Sequence, residues 1–208
     1  MDEFEVIERY FGGRGWYQPP AMVLGPGDDC AIVQPPAGAE ICVSTDTLVA
    51  GVHFPAGAPG EVVAHRVFAA TLSDVAAMGA EPLALTLALT MPGVNHEFLE
   101  AYASRLKLLT TEYRTPLVGG NLSRGPLSVT GQVIGYAPAG AAVRRSGALA
   151  GDAIVVTGQP GAAAAGLAAA LDRLDVTAHL QAPYLFPTAR IAEGLKARLW
   201  AHALIDIT

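Results

Sequence analysis

The run Glu40-Ile41-Cys42-Val43-Ser44-Thr45-Asp46-Thr47-Leu48-Val49-Ala50-Gly51-Val52-His53-Phe54 decides how this chain is read. Residues 40–44 are rich in apolar and β-branched side chains, which predicts a strand. At its end three hydroxyls, Ser44, Thr45 and Thr47, surround the carboxylate of Asp46. Residues 45–60 then carry Gly51, Pro55, Gly57, Pro59 and Gly60, so they read as a long loop, with His53 on it.

The flanking segments follow the same logic. Phe4, Ile7 and Phe11 repeat at helical spacing, predicting a short helix over 3–11 that Gly12-Gly13-Arg14-Gly15 ends. Residues 31–33 read as a strand, separated from 40–44 by the turn at Pro35-Pro36-Ala37-Gly38. A helix over 61–78 has Val63, Val67, Ala70, Leu72 and Val75 on its apolar face, and Gly79 stops it. Residues 83–90 read as a strand. Asn95 is suited to cap a helix over 96–114, with Phe98, Leu99, Tyr102, Leu106 and Leu109 inward. Strands over 116–118 and 127–136 complete an α+β pattern of helix, strands, helix, strand, helix, strands.

A boundary is expected near 137–151, where Ala137-Pro138-Ala139-Gly140 interrupts the pattern. The division is 1–137 for an N-terminal domain and 138–208 for the start of a C-terminal α/β domain. The second part reads as a strand at 153–157, helices at 160–174 and 187–199, and a strand at 203–207. An apolar strand that stops at Thr208 gives the expectation that this domain is incomplete.

Composition bounds the function. Of 208 residues 51% are hydrophobic and only 15% are charged, which excludes an intrinsically disordered chain. The balance of 19 acidic to 13 basic residues, a formal charge of −6, excludes a general nucleic-acid binder. An acidic chain that handles phosphates usually has to recruit metal ions. Cys30 and Cys42 share no metal-ligand spacing and read as two buried small hydrophobes, consistent with a reducing compartment. The start Met1-Asp2-Glu3-Phe4-Glu5 is acidic where a signal peptide would be basic, and the alanine-rich run over 161–171 is too short to span a bilayer. A soluble cytoplasmic protein without membrane contact is expected.

Four acidic clusters stand at the ends or on the faces of these elements: Gly25-Pro26-Gly27-Asp28-Asp29, Ser44-Thr45-Asp46-Thr47, Leu72-Ser73-Asp74 and Ile205-Asp206-Ile207. Each has a bland alternative. Asp28-Asp29 suits a turn, Asp46 an Asx-type bond at a strand end, and Asp74 a cap for a neighbouring loop. Asp206 is harder to dismiss, because an unpaired carboxylate in an apolar strand is costly to bury. Together, oxygen ligands spread over several elements point to Mg²⁺ shared with phosphate oxygens. No P-loop and no Gly-x-Ser-x-Gly elbow occurs. Gly158-Gln159-Pro160-Gly161 opens a helix without a following lysine and reads as an ordinary turn. His65, His96, His179 and His202 show no zinc-like spacing. His53 either contacts a ligand or is solvated, and Arg144-Arg145 either binds phosphate or is a surface pair.

These motifs, followed by Gly119-Gly120-Asn121-Leu122-Ser123-Arg124-Gly125, Arg145-Ser146-Gly147-Ala148 and Gly151-Asp152, resemble in order those of the thiamine-monophosphate kinase family. That family belongs to a superfamily with aminoimidazole ribonucleotide synthetase and selenophosphate synthetase. The Ser44-to-Phe54 run is its most specific part, since the superfamily relatives lack the His-Phe ending. The resemblance implies ATP- and Mg²⁺-dependent phosphorylation of thiamine monophosphate to thiamine diphosphate. It also implies a homodimer whose N-terminal domains join their sheets into a shared barrel.

By position it implies metal ligation by Asp29, Thr45, Asp46, Asp74 and Asp206, with Ser44 beside them. It implies a substrate contact at His53 and ATP contacts at Gly120 and Arg145. Asn121 stands where the family has aspartate; it keeps an oxygen ligand without the charge, at a metal or ATP position. The alternatives are a degenerate, noncatalytic nucleotide-binding relative and another ATP-using member of the superfamily.

Overall fold

A computed structural model describes residues 3–13, 15–171 and 178–207. Arg14, the last residues of the helix expected over 160–174, and Thr208 lie outside the described residues.

The chain opens with α1 (Glu3–Val6), which continues into one π-helical turn (Ile7–Phe11). Strands β1 (Met22–Leu24) and β2 (Ile32–Val33) form a small antiparallel pair. The main sheet holds β3 (Ala39–Val49), β4 (Glu81–Met91), β5 (Leu117–Arg124) and β6 (Ser128–Pro138) in the order β3-β6-β4-β5. Only the β4–β5 pair is parallel; β6 runs antiparallel to both β3 and β4. Helices α2 (Gly60–Ala77) and α3 (His96–Glu112) join these strands. Three shorter helices follow: α4 (Ala162–Ala170), α5 (Ala178–Leu185) and α6 (Ile191–Ala197). The expected α+β class is observed.

Burial of apolar faces explains the layer. Val63, Val67, Phe68 and Leu72 of α2 and Leu99, Tyr102, Leu106 and Leu109 of α3 pack with Leu85, Leu87 and Leu89 of β4 and Val129 and Val133 of β6. Asn95 caps α3 as expected, its Oδ1 accepting the Phe98 N–H at 3.0 Å. The approach of α2 to the sheet depends on Gly131 of β6. A Cβ there would stand 2.4 Å from Thr71 Oγ1.

Several expectations need correction. β3 runs to Val49, so Ser44, Thr45 and Asp46 lie within a strand rather than at its end. Strand alternation therefore splits them. Ser44 and Asp46 register with Val133 and Gly131 on the helix-covered face, whereas Thr45 and Thr47 point to the open face. Thr47 there bonds Thr130, at 2.9 Å. β5 likewise runs through Arg124, well beyond the short strand expected over 116–118. In both cases backbone pairing with a neighbouring strand overrides weak local preference.

The strands expected over 153–157 and 203–207 do not form; neither segment has regular structure or a sheet partner among the described residues. Ile154 is 96% and Ile207 75% exposed. A strand needs a regular ladder to satisfy its backbone, and neither segment joins one among the described residues. Helix α5 was not expected; it contains Pro183. The cysteines are not a buried pair: Cys30 is exposed and Cys42 half-buried.

Candidate metal and phosphate site

The site forms where the C-terminal half of α2 meets the helix-facing side of β3. Asp74, on α2, accepts a hydrogen bond from the Ser44 hydroxyl. Asp46, two residues along the same strand face, comes within hydrogen-bonding reach of Asp74. Burial raises the pKa of the Asp46 carboxyl, and the charges of Asp74 and Asp206 raise it further.

Asp206 reaches this cluster because the later chain docks on the end of α2. Gly194 of α6 lies so close to Ala76 that a Cβ would stand 2.2 Å from its carbonyl oxygen. Arg198 donates to the Gly79 carbonyl at 2.7 Å, and the Val143 N–H to the Met78 carbonyl at 3.0 Å. Gly147 packs against the His202 carbonyl, where a Cβ would lie 1.8 Å from the oxygen. The Leu204 N–H faces the Arg144 carbonyl at 3.4 Å. Segments 144–147 and 202–206 thus run side by side and bring Arg145 to Asp206. Burial and Asp74 raise the Asp206 carboxyl, while its own backbone N–H and Arg145 act the other way.

Asp46, Asp74 and Asp206 therefore gather like charge that Arg145 offsets only in part. Such a group suits a divalent cation. Among the described residues no three His, Cys, Asp or Glu side chains close a ligand cage around one point. Mg²⁺ itself takes one or two carboxylates and completes its shell with water and phosphate oxygens.

The other expected site residues are placed differently. Asp206 is half-buried beside exposed isoleucines, not enclosed in an apolar strand. Asp29 lies in the exposed β1–β2 connection, where the Asp28 carboxylate accepts its N–H at 2.8 Å. No hydrogen bond or ion pair joins the Asp29 side chain to the aspartate cluster among the described residues. Thr45 faces away from it. Asn121 is exposed on β5, and its Nδ2 donates to Ser123 at 2.8 Å. Gly120 is demanded by packing, since a Cβ would lie 2.0 Å from the Leu87 carbonyl oxygen.

His53 stands in a tight exposed loop. Its Nδ1 accepts the Val49 N–H at 3.0 Å, a bond that leaves Nε2 as the ring's donor. Sequence reading missed Arg66, which touches this loop. The available signal was a basic residue inside an otherwise apolar run of α2. His202, which shows no zinc-like spacing, bonds Asp152 at 2.8 Å. With the Leu149 N–H this holds the Asp152 carboxyl below the usual carboxylate range.

Comparison with known proteins bears on the family and the fold. Residues 27–137 match the family described as "AIR synthase related protein, N-terminal domain". A thiamine-monophosphate kinase from Salmonella typhimurium is 46% identical over 99% of this chain and 65% of its own length. The crystal structure of such a kinase from Stenotrophomonas maltophilia is 36% identical with a TM-score of 0.85, covering 98% of this chain and 66% of that one. The structure "AaThiL complexed with AMPPCP and TMP" is 25% identical with a TM-score of 0.75, covering 96% of this chain and 62% of that one. The chain thus spans about 65% of the length of these curated relatives. On these matches and its fold, the chain belongs to the AIR synthase related proteins and within them is similar to the thiamine-monophosphate kinases.

Proposed function

We propose that this protein transfers the γ-phosphoryl group of ATP to thiamine monophosphate, giving thiamine diphosphate and ADP. A phosphate oxygen of thiamine monophosphate would bond to the γ-phosphorus as the bond from that phosphorus to the β,γ-bridging oxygen breaks, and ADP leaves with that oxygen. The observation that carries the reading is the cluster of Asp46, Asp74 and Asp206 beside Arg145, in a chain alike to these kinases along nearly its whole length. The likeness to a complex with AMPPCP and TMP supports the choice of substrates.

Two anionic esters repel one another, so such a site must neutralise charge and hold the reactants in line. Mg²⁺, when bound, supplies that neutralisation. Asp46, Asp74 and Asp206 would divide among more than one such ion, one or two carboxylates to each, with Ser44 fixing the Asp74 carboxylate. Arg145, beside Asp206, would meet charge developing on the transferred phosphoryl. His53 Nε2–H offers a donor to thiamine monophosphate. Asp29, Asn121 and Gly120 belong to the reading by family position, with support from neither contact nor burial. The expected division at residue 137 is kept, supported by the end of β6 at Pro138. Residence in the cytoplasm fits the free thiols of Cys30 and Cys42 and the lack of a candidate membrane-spanning helix among the described residues.

The reading includes a homodimer formed through the open face of the main sheet. Ile41 and Val43, 47% and 59% exposed on β3, give that face an apolar centre. The test of function is direct: the protein, Mg²⁺, ATP and thiamine monophosphate should give thiamine diphosphate, and omission of Mg²⁺ should stop it. Binding of Mg²⁺ and ATP without product would favour the noncatalytic reading, which the exposed, uncharged Asn121 supports.

A further inference from the structure

Arg66 of α2 ties together two segments far apart in the chain. One guanidinium nitrogen donates to the carbonyl of Tyr184, at the end of α5. The other terminal nitrogen donates to the carbonyl of His53 at 3.1 Å. The guanidinium also stacks over the Tyr184 ring, 4.3 Å from its centroid. Its neighbour His65 bonds the Pro187 carbonyl at 2.7 Å, and Arg105 donates to the other His65 nitrogen at 3.0 Å. Residues 184–187 are therefore fastened to α2 at two adjacent positions.

The loop that Arg66 grips is the one that presents His53. Gly51, at φ +78°, donates to the Phe54 carbonyl at 2.7 Å, and the His53 N–H donates to the Val49 carbonyl at 2.9 Å. Phe54 is buried and anchors the far end. His53 itself is exposed at the apex, where a freed carbonyl would let the ring swing away.

We propose that Arg66 is a positioning residue: by bridging the carbonyls of His53 and Tyr184 it fixes the loop so that His53 Nε2–H faces the thiamine monophosphate site. This rests on the reading of His53 as a substrate contact. A long, rigidly forked cation suits the task, because one side chain can serve two carbonyls and a ring at once. Docking of the 184–187 segment and ordering of the substrate loop are thereby coupled.

The test combines hydrogen exchange of amides 50–54 with calorimetric titration of thiamine monophosphate in Mg²⁺, on the wild type, Arg66→Ala, Arg66→Lys, His53→Ala and the double variant His53→Ala/Arg66→Ala. Arg66→Ala should speed exchange in the loop and weaken thiamine monophosphate about tenfold, as loss of a supporting partner typically does. ATP affinity should stay within about twofold, and Arg66→Lys should recover part of the loss. The double variant should bind no more weakly than His53→Ala alone. Unchanged loop exchange in Arg66→Ala, or a loss that adds in full to that of His53→Ala, overturns the proposal. If His53→Ala binds like the wild type, the substrate reading of His53 falls, and the exchange data still decide whether Arg66 holds the loop.

Discussion

Asp46 holds its proton more tightly than an ordinary aspartate because burial and two neighbouring carboxylates disfavour its charge. The folded chain thus binds this proton better than the unfolded one. The metal-free protein should therefore lose stability as pH rises from the ordinary aspartate value of 3.8 through the raised folded value. Asp46→Asn should reduce that slope, leaving the share of Asp206, while lowering turnover by about 100-fold or more, a loss typical for removing a group that supports transition-state charge. Mg²⁺ should raise the melting temperature of the wild type more than that of Asp46→Asn. Denaturant titrations across acid pH and thermal melts with and without Mg²⁺ check both points.

His65 shows the opposite sign. Burial lowers its pKa below 6.5, the Arg105 charge adds to this, and the Pro187 bond resists it. The unfolded chain then binds the proton better. Stability should be complete above about pH 6.5 and fall as pH drops below it. A His65→Asn variant, which cannot titrate, should lack this acid limb. The same change of denaturant midpoint between about pH 7.5 and about pH 5 in the wild type and in His65→Asn would show that His65 is not held neutral.

At the scale of elements, the register of β6 under α2 decides whether the site exists. Gly131 pairs with Asp46 on one side and Leu87 on the other, and its missing side chain leaves room for Thr71. A Gly131→Val change should cost about 1–3 kcal/mol or more through overpacking, read as a shift in denaturant midpoint. It should also lower Mg²⁺ affinity, because it pushes Asp74 of α2 away from Ser44.

The main elements were legible because their signals are local: the apolar stripe of α2, the Asn95 cap, the alternation of β4. The ends of β3 and β5 were not, because they depend on partners remote in sequence. That error mattered for the site. Reading Ser44, Thr45 and Asp46 as a strand end grouped three side chains that alternation separates. The pairing of Asp74 with Ser44, 30 residues apart, rested on family likeness alone until the helix was seen to cross the strand. Asp206 was found by its chemistry, though the apolar strand invoked to explain it does not form. Arg66 had no motif to mark it, and its partners lie 13 and 118 residues away.

For the whole molecule, the sheet covers its core on one face and leaves the other open. The exposed Ile41 and Val43 make that open face the expected seam between two copies. Ile41→Lys together with Val43→Lys should yield a folded monomer by sedimentation while the wild type sediments as a dimer. A wild type that is monomeric at micromolar concentration would remove the dimer from the account.

The central claim is that the aspartate cluster serves phosphoryl transfer to thiamine monophosphate. The measurement that tests it most directly follows thiamine diphosphate formed by the purified, folded protein from ATP and thiamine monophosphate, in the wild type and in Asp74→Asn. The account predicts product that requires Mg²⁺ and is lost in Asp74→Asn without loss of the fold. No thiamine diphosphate from the folded wild type, or undiminished product from Asp74→Asn, would contradict it.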